Sequence, residues 1–230
     1  MIDSSQEAIY ESLETLSQAD EYYRWIASRL RPYLKGKVLE MGAGSGNFSR
    51  SARETAAQYH VSETDPRLVE VLQKEFEHAF RWDVSQPFPK TDLYDTVITI
   101  NVVEHLKDDL HALKAMTERL NPDGRLVILV PAMQFLYGSM DRSFGHFRRY
   151  TKQSMTGIMK QVPLTIEKME YVNVIGMAGW FLYGKILKRD NLPQHLCSRF
   201  NLVVPLLKLE RPLAHFMGLS LIAIGRKSIP

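Results

Sequence analysis

Between Lys37 and Val130 the chain alternates β-like runs with helical ones, and this alternation limits the folds open to it. "KVLEM", "QYHVSE" (Gln58–Glu63), "HAFRW", "YDTVITI" (Tyr94–Ile100) and "RLVILV" (Arg125–Val130) read as five strands. The last is apolar almost throughout, the pattern of a strand buried on both faces. The runs between them carry helical spacing. In "DLHALKAMTERL", Leu110, Leu113, Met116 and Leu120 share one face, and Asp108 can cap its start. "NPDG" (Asn121–Gly124) then reads as a turn into the fifth strand. Strand–helix alternation implies right-handed crossovers and a mainly parallel sheet with helices on both faces. Ligands of such sheets bind beyond the carboxyl ends of the strands, at the switch point.

The first strand runs into three glycines, Gly42, Gly44 and Gly46, in "VLEMGAGSGNFS". Glycines there let the backbone approach a ligand closely, and the following helix offers free N–H groups. A dinucleotide turn would read G-x-G-x-x-G. Here the third glycine comes one residue early and Asn47 takes its place.

The chain after the fifth strand differs. Residues 1–131 carry 15 Lys and Arg against 21 Asp and Glu, whereas residues 132–230 carry 14 against 5. A basic C-terminal part suggests an anionic substrate or surface, or simply a solvated basic face. "LTIEKMEYVNV" (Leu164–Val174) and "LSLIAIGRK" (Leu219–Lys227) read as two more strands. The segment between them is too long for a hairpin loop and is apolar, aromatic and basic at once. Its longest apolar run is broken by Gly176, Gly179, Gly184 and Lys185, short of a membrane span. It reads as a helical lid, with an interfacial membrane segment as the competing reading. The sole cysteine, Cys197, permits no internal disulfide and no cysteine-based metal cluster. "MIDSSQEAIY" lacks the basic flank and apolar block of a signal peptide, so a cytoplasmic location is expected.

Glu40 precedes the first glycine by two residues, and the resulting E-x-G-x-G-x-G resembles motif I of the class I S-adenosylmethionine (SAM)-dependent methyltransferases. Other segments resemble that family in register: "ETDPRLVEVL" after the second strand, "YDTVITINVVEHL" around the fourth and "LNPDGRLVILVP" around the fifth. "EYYRWIASRLRPYLKGKVLE" resembles the N-terminal helix of one branch. "VPAMQFLYGSMDRSFGHFRRYT" and the C-terminal third resemble its bacterial type 11/12 branch. The resemblance implies a Rossmann-like fold of seven mainly parallel strands, with a helical lid inserted between the last two. It implies SAM as cofactor and S-adenosylhomocysteine as product. The cofactor residues it implies are Tyr23, Glu40, Gly42, Ala43, Gly44, Gly46, Glu63, Thr64, Asp83, Val84 and Asn101, with Glu63 on the ribose hydroxyls and Asp83 on the adenine amino group. One domain is expected over residues 1–230: cap helices (1–35), a SAM-binding core (36–131), an acceptor loop and helix (132–163) and a lid (175–218).

Methyl transfer is an in-line displacement, so positioning the reactants roughly 3–3.5 Å apart is much of the catalysis. A hydroxyl acceptor usually needs a base or a metal as well. "NVVEHL" is similar to the E-x-x-E-H metal motif of ubiquinone-pathway O-methyltransferases, with Asn101 in place of the first Glu. That leaves Glu104 and His105 as an incomplete set, so no metal is expected; packing at a helix start is the favoured reading, His105 as base the alternative. "DRSFGHFRRYT" gathers Asp141, Arg142, His146, Arg148, Arg149 and Tyr150. One arginine is expected to pair with Asp141 and the other to clamp an acceptor carboxylate or phosphate. His146, Tyr150 and His105 are the candidate catalytic residues; Tyr137, Arg148, Arg149 and Trp180 are the candidate acceptor contacts.

The expected acceptor is a small or lipid-like molecule, apolar with an anionic group, and peripheral membrane contact through the lid is the further expectation. A nucleic-acid acceptor is the rival. Amino-methylating DNA enzymes carry [D/N]-P-P-[Y/F] after the fourth strand, where this chain has "NVVE". Cytosine-C5 enzymes need a cysteine near that strand. A SAM-binding protein without catalysis is the second rival.

Overall fold

A computed structural model describes residues 20–190, 200–207 and 210–228. A seven-stranded sheet forms its centre: β1 (Lys37–Met41), β2 (Gln58–Glu63), β3 (Ala79–Arg81), β4 (Tyr94–Ile100), β5 (Leu120–Pro131), β6 (Leu164–Val172) and β7 (Ser220–Lys227). Their order is β3-β2-β1-β4-β5-β7-β6. β1 pairs in parallel with β2 and β4, β4 with β5, and β2 with β3. β7 runs antiparallel between β5 and β6. From β1 the chain passes to β2 on one side and reaches β4 on the other, so the switch point opens at the carboxyl ends of β1 and β4.

Side-chain alternation along the strands feeds two cores. On one face Leu39, Val97 and Ile128 pack with Leu113 and Met116 of α4 (Asp109–Glu118) and Met155 and Met159 of α6 (Lys152–Met159). On the other, Val38, Ile98 and Val127 pack with Trp25 and Ile26 of α1 (Asp20–Leu30), Phe48 of α2 (Asn47–Ala52) and Leu72 of α3 (Pro66–Gln73). Each such side chain, fully buried, is worth about 1.5–3 kcal/mol. α5 (Ser139–Ser143) lies in the loop after β5. The expected Asp108 cap forms, accepting from the His111 N–H at 2.9 Å, and Thr151 caps α6 by accepting from the Ser154 N–H at 3.1 Å.

Four strands differ in their limits from the sequence reading, β7 only by starting at Ser220 instead of Leu219. β3 stops at Arg81, so Asp83 lies in the following loop and its carboxylate accepts from the Ser85 N–H at 2.9 Å. The "NPDG" turn lies inside the span of β5: Tyr94 pairs with Leu120 and Thr96 with Arg125, so Asn121–Gly124 bulge out, with Asp123 at φ +63°. β6 ends at Val172 because Asn173 turns left-handed (φ +64°) and caps the next helix through the Gly176 N–H.

Between β6 and β7 the described residues form α7 (Val174–Trp180), π-helical turns (Phe181–Ile186), α8 (Val204–Leu207) and α9 (Arg211–Ala214). Val172 pairs with Ser220, itself opposite Pro131, so this insertion leaves and rejoins the sheet at the edge where β5 ends. Cys197 lies outside the described residues, as does the N-terminal part of the expected cap, residues 1–19.

Candidate active site

The glycine turn follows β1 at the switch point. Gly42, Gly44 and Gly46 take φ of +71°, +56° and +83°. Gly42 is also sterically required, because a Cβ there would meet Val102 Cγ2 at 2.5 Å. The ends of β1 and β4 are therefore in contact. The N–H groups of Gly42 and Ala43 both donate to the Ser62 carbonyl, at 2.9 and 3.0 Å. Glu63 clasps the turn from β2: Oε2 accepts from the Gly44 N–H at 2.8 Å, and Oε1 from the Thr64 N–H and Oγ1 at 2.6 and 2.9 Å.

Glu40 turns beneath the glycines instead of towards the crevice. It is buried, and its Oε2 accepts from Ser49 Oγ at 2.7 Å and Tyr59 Oη at 2.8 Å. Burial pushes its carboxyl up to about 7 against the pull of those two bonds. It therefore supports the turn from below. Asn101, exposed at the end of β4, holds φ +52° while its N–H donates to the Leu129 carbonyl. Val84 is buried and Asp83 exposed. Tyr23 is half-buried on α1, which packs on α2 beside the turn.

Across the crevice the loop after β5 is organised by Asp141, which is fully buried. It accepts from Arg149 Nε at 2.7 Å, His146 Nδ1 at 2.8 Å, the Gly138 N–H at 2.9 Å and Trp180 Nε1 at 3.3 Å. Burial alone would raise its pKa; the His146 bond and the Arg149 charge outweigh this and hold the carboxyl below the usual range. The Arg149 guanidinium stacks on Trp180, 4.5 Å from the ring centroid. Tyr137 Oη donates to the His146 carbonyl at 2.8 Å. Ser139 Oγ donates to the Gly184 carbonyl at 3.1 Å and also to that of Arg189. The loop and the start of the β6–β7 insertion thus form one packed unit.

The paired-arginine expectation is met on one side only. Arg149 takes Asp141, and Arg148 is occupied as well, 2.5 Å from Asp109 Oδ2 and donating to the Lys107 carbonyl at 2.7 Å. Tyr150 is buried, with its hydroxyl 2.9 Å from Asp109 Oδ2. Burial first and the Asp109 charge second push its phenol far up, so it is a hydrogen-bond donor at neutral pH. Asp109 is the participant that sequence reasoning missed; beside the cap residue Asp108 it looked like an ordinary first-turn acid.

His105 and His146 meet edge to face, with ring centroids 4.7 Å apart. The Phe147 N–H donates to the Glu104 carbonyl at 2.8 Å and fastens the loop to the turn after β4. Burial first and His146 second lower the His105 imidazole to about 4. Glu104 is fully buried, and burial raises its carboxyl to about 8.

Residues 15–168 match the family described as Methyltransferase domain. An uncharacterized methyltransferase of Staphylococcus carnosus is 29% identical over 117 residues, 46% of this chain and 53% of the relative, so the match spans about half of that relative's length. A solved structure titled as a putative methyltransferase from Bacillus halodurans superposes with TM-score 0.61 at 14% identity, covering 88% of this chain and 99% of that one. Magnesium protoporphyrin IX methyltransferase from Synechocystis, solved with bound SAH, superposes with TM-score 0.58 at 13% identity, covering 92% and 84%. With the sheet order and the glycine turn in agreement, the chain belongs to the Methyltransferase domain family, on the class I SAM-dependent fold.

Proposed function

We propose that this chain transfers a methyl group from SAM to a small or lipid-like acceptor, apolar with an anionic group. The observation that carries the reading is the crevice itself. One wall is a backbone turn clasped by Glu63, and the other is a loop held by Asp141, with the β4 end touching both. On binding SAM, Glu63 would exchange its bonds to Thr64 and Gly44 for the two ribose hydroxyls, a charge-assisted pair. Asp83 and Val84 would meet the adenine, and Tyr23 would close over it from α1. Residues 36–131 would hold the cofactor, 132–163 and 175–218 the acceptor, and residues 1–35 would cap the crevice.

The acceptor class is argued from the insertion. Phe181, Leu182, Ile186 and Leu187 are exposed, near Lys185, Lys188 and Arg189. An apolar, basic surface beside the crevice suits a lipid-like acceptor with an anionic group, presented at a membrane surface from the cytoplasmic side. No described helix is long and apolar enough to cross a membrane. Of the expected bases, His146 is better set than Tyr150, because Asp141 holds its Nδ1 and leaves the Nε2 lone pair to accept a proton. Native mass spectrometry of the purified protein should show S-adenosylhomocysteine together with an apolar anionic molecule, and that molecule should gain one methyl when SAM is supplied. A co-purified oligonucleotide that is methylated instead would overturn the acceptor class.

A further inference from the structure

We propose that Glu104, His105 and His146 form a binding site for one first-row divalent cation of the zinc type. The sequence shows only two of these ligands together, and the fold supplies the third. The loop after β5 is fastened to the β4 turn by the bond from the Phe147 N–H to the Glu104 carbonyl, and this brings His146 over His105. One ligand atom from each of the three residues lies within 4.8 Å of the others.

Glu104 provides the strongest argument. Its side chain is fully buried, and neither carboxylate oxygen has a hydrogen-bond partner. A buried carboxyl group left without partners is costly, and a cation between the oxygens and two imidazoles would satisfy it. The histidines are prepared in the way metal ligands are. His146 Nδ1 is held by Asp141 at 2.8 Å, which fixes the tautomer and leaves the Nε2 lone pair free. His105 meets the His146 ring edge to face at 4.7 Å between centroids. The His146 ring is thus braced from outside the cluster, and His105 packs against it.

Two imidazoles, one carboxylate and no thiolate suit zinc, cobalt, manganese or ferrous iron better than calcium, which prefers six or more oxygens. Three protein ligands would leave a position for water or substrate, as catalytic zinc sites do. Ligand atoms around a tetrahedral ion with bonds of about 2.0–2.1 Å sit about 3.4 Å apart, so small ring rotations would close the set. The cluster lies two residues beyond Val102, which touches Gly42, and so beside the proposed methyl donor. Resting on the methyl-transfer reading for this role alone, and with His146 Nε2 then serving as a ligand instead of the base, the ion would bind an acceptor hydroxyl and ease loss of its proton to solvent. The oxygen lone pair then forms the new O–CH3 bond as the S–CH3 bond breaks, and the sulfonium becomes the thioether of S-adenosylhomocysteine.

The test uses the full chain, freed of metal by a chelator and dialysed, then titrated with Co2+ and followed by its visible ligand-field absorption, with Zn2+ as competitor. One ion per chain should bind, with a tetrahedral or five-coordinate spectrum that Zn2+ abolishes. Glu104→Gln, nearly isosteric, and His146→Ala should each weaken binding by at least about ten-fold. SAM affinity, measured in the same samples without metal, reports folding and the cofactor reading separately. If His146→Ala fails to bind SAM, Glu104→Gln alone decides. Absence of saturable Co2+ binding to the wild-type chain, or equal binding by a folded Glu104→Gln variant, overturns the site while leaving the methyltransferase reading standing.

Discussion

The two walls of the crevice are built differently. The β1–β2 wall is mostly backbone: three left-handed glycines, a carbonyl that takes two N–H groups, and one carboxylate from β2 over the turn. The wall after β5 is mostly side chain: a buried aspartate takes four donors, two arginines are each engaged, and Trp180 stacks on Arg149 and meets the Phe144 ring. A backbone wall tolerates any side chain that leaves the turn intact. A side-chain network depends on each member, because a buried polar group deprived of its partner bears the full cost of desolvation.

The largest expected effect follows from that contrast. Asp141→Ala would strand the buried Arg149 guanidinium and free His146, Trp180 and the Gly138 N–H together. Breaking one side of such a pair costs about 3–5 kcal/mol. Urea unfolding should show that loss, and Arg149→Ala should cost a similar amount by stranding Asp141. A change below about 1 kcal/mol in either variant would mean that the loop is not held by this pair, and the contrast between the walls would break.

Next comes Glu63→Ala on the other wall. Here stability should change little, since the N–H groups of Gly44 and Thr64 can turn to water at the crevice. SAM affinity should fall by about 1.5–3 kcal/mol, roughly 10- to 150-fold, for a charge-assisted pair. Calorimetry giving unchanged affinity would place the ribose elsewhere.

Most of the fold could be read from the sequence because its signals are local. β1, β2 and β4 have the limits that their apolar runs suggested, and the caps Asp108 and Thr151 are single-residue signals. The glycine turn was legible for the same reason. What sequence could not show was which partner each charged side chain takes. Asp141 and Arg149 stand eight residues apart, yet their pairing with Trp180 needs α7, which follows a whole helix and strand. Asp109, Arg148 and Tyr150 meet only because the loop returns onto the start of α4. Glu40 was misleading in the opposite sense. Its place in the motif suggested a ligand contact, whereas the pleat directs it under the turn to Ser49 and Tyr59.

Glu40 also makes the backbone wall pH-dependent. Its carboxyl ionises near 4.5 when free and near 7 when buried by folding. Between those values the folded chain keeps a proton that the unfolded chain has lost, so raising the pH favours unfolding. The Glu40 contribution is fully present below about 4.5 and lost as pH rises through about 7. Within that window the slope approaches about 1.4 kcal/mol per pH unit for one proton. Glu40→Gln keeps an oxygen to accept from Ser49 and Tyr59 and cannot ionise. Its stability relative to wild type should therefore improve as pH rises across the window. A parallel pH dependence in the two proteins would show that Glu40 stays ionised beneath the turn.

The smallest expected effect separates the neighbouring arginines. Arg149 is buried, whereas Arg148 keeps 29% of its side chain exposed and pairs with Asp109 near solvent. Water and salt screen that pair, so its contribution to stability is about 0–1 kcal/mol. Tyr150 would still donate to Asp109 after Arg148→Ala, and the α4 start would keep its Asp108 cap. The variant should therefore unfold within about 1 kcal/mol of wild type and bind SAM unchanged, unlike Arg149→Ala. Any deficit should appear in the acceptor's KM and grow at low salt, as the loss of a partly exposed positive charge that attracts an anionic acceptor. If Arg148→Ala instead destabilises the chain as much as Arg149→Ala, the two arginines belong to one buried network, and the acceptor wall presents no cation of its own at this position.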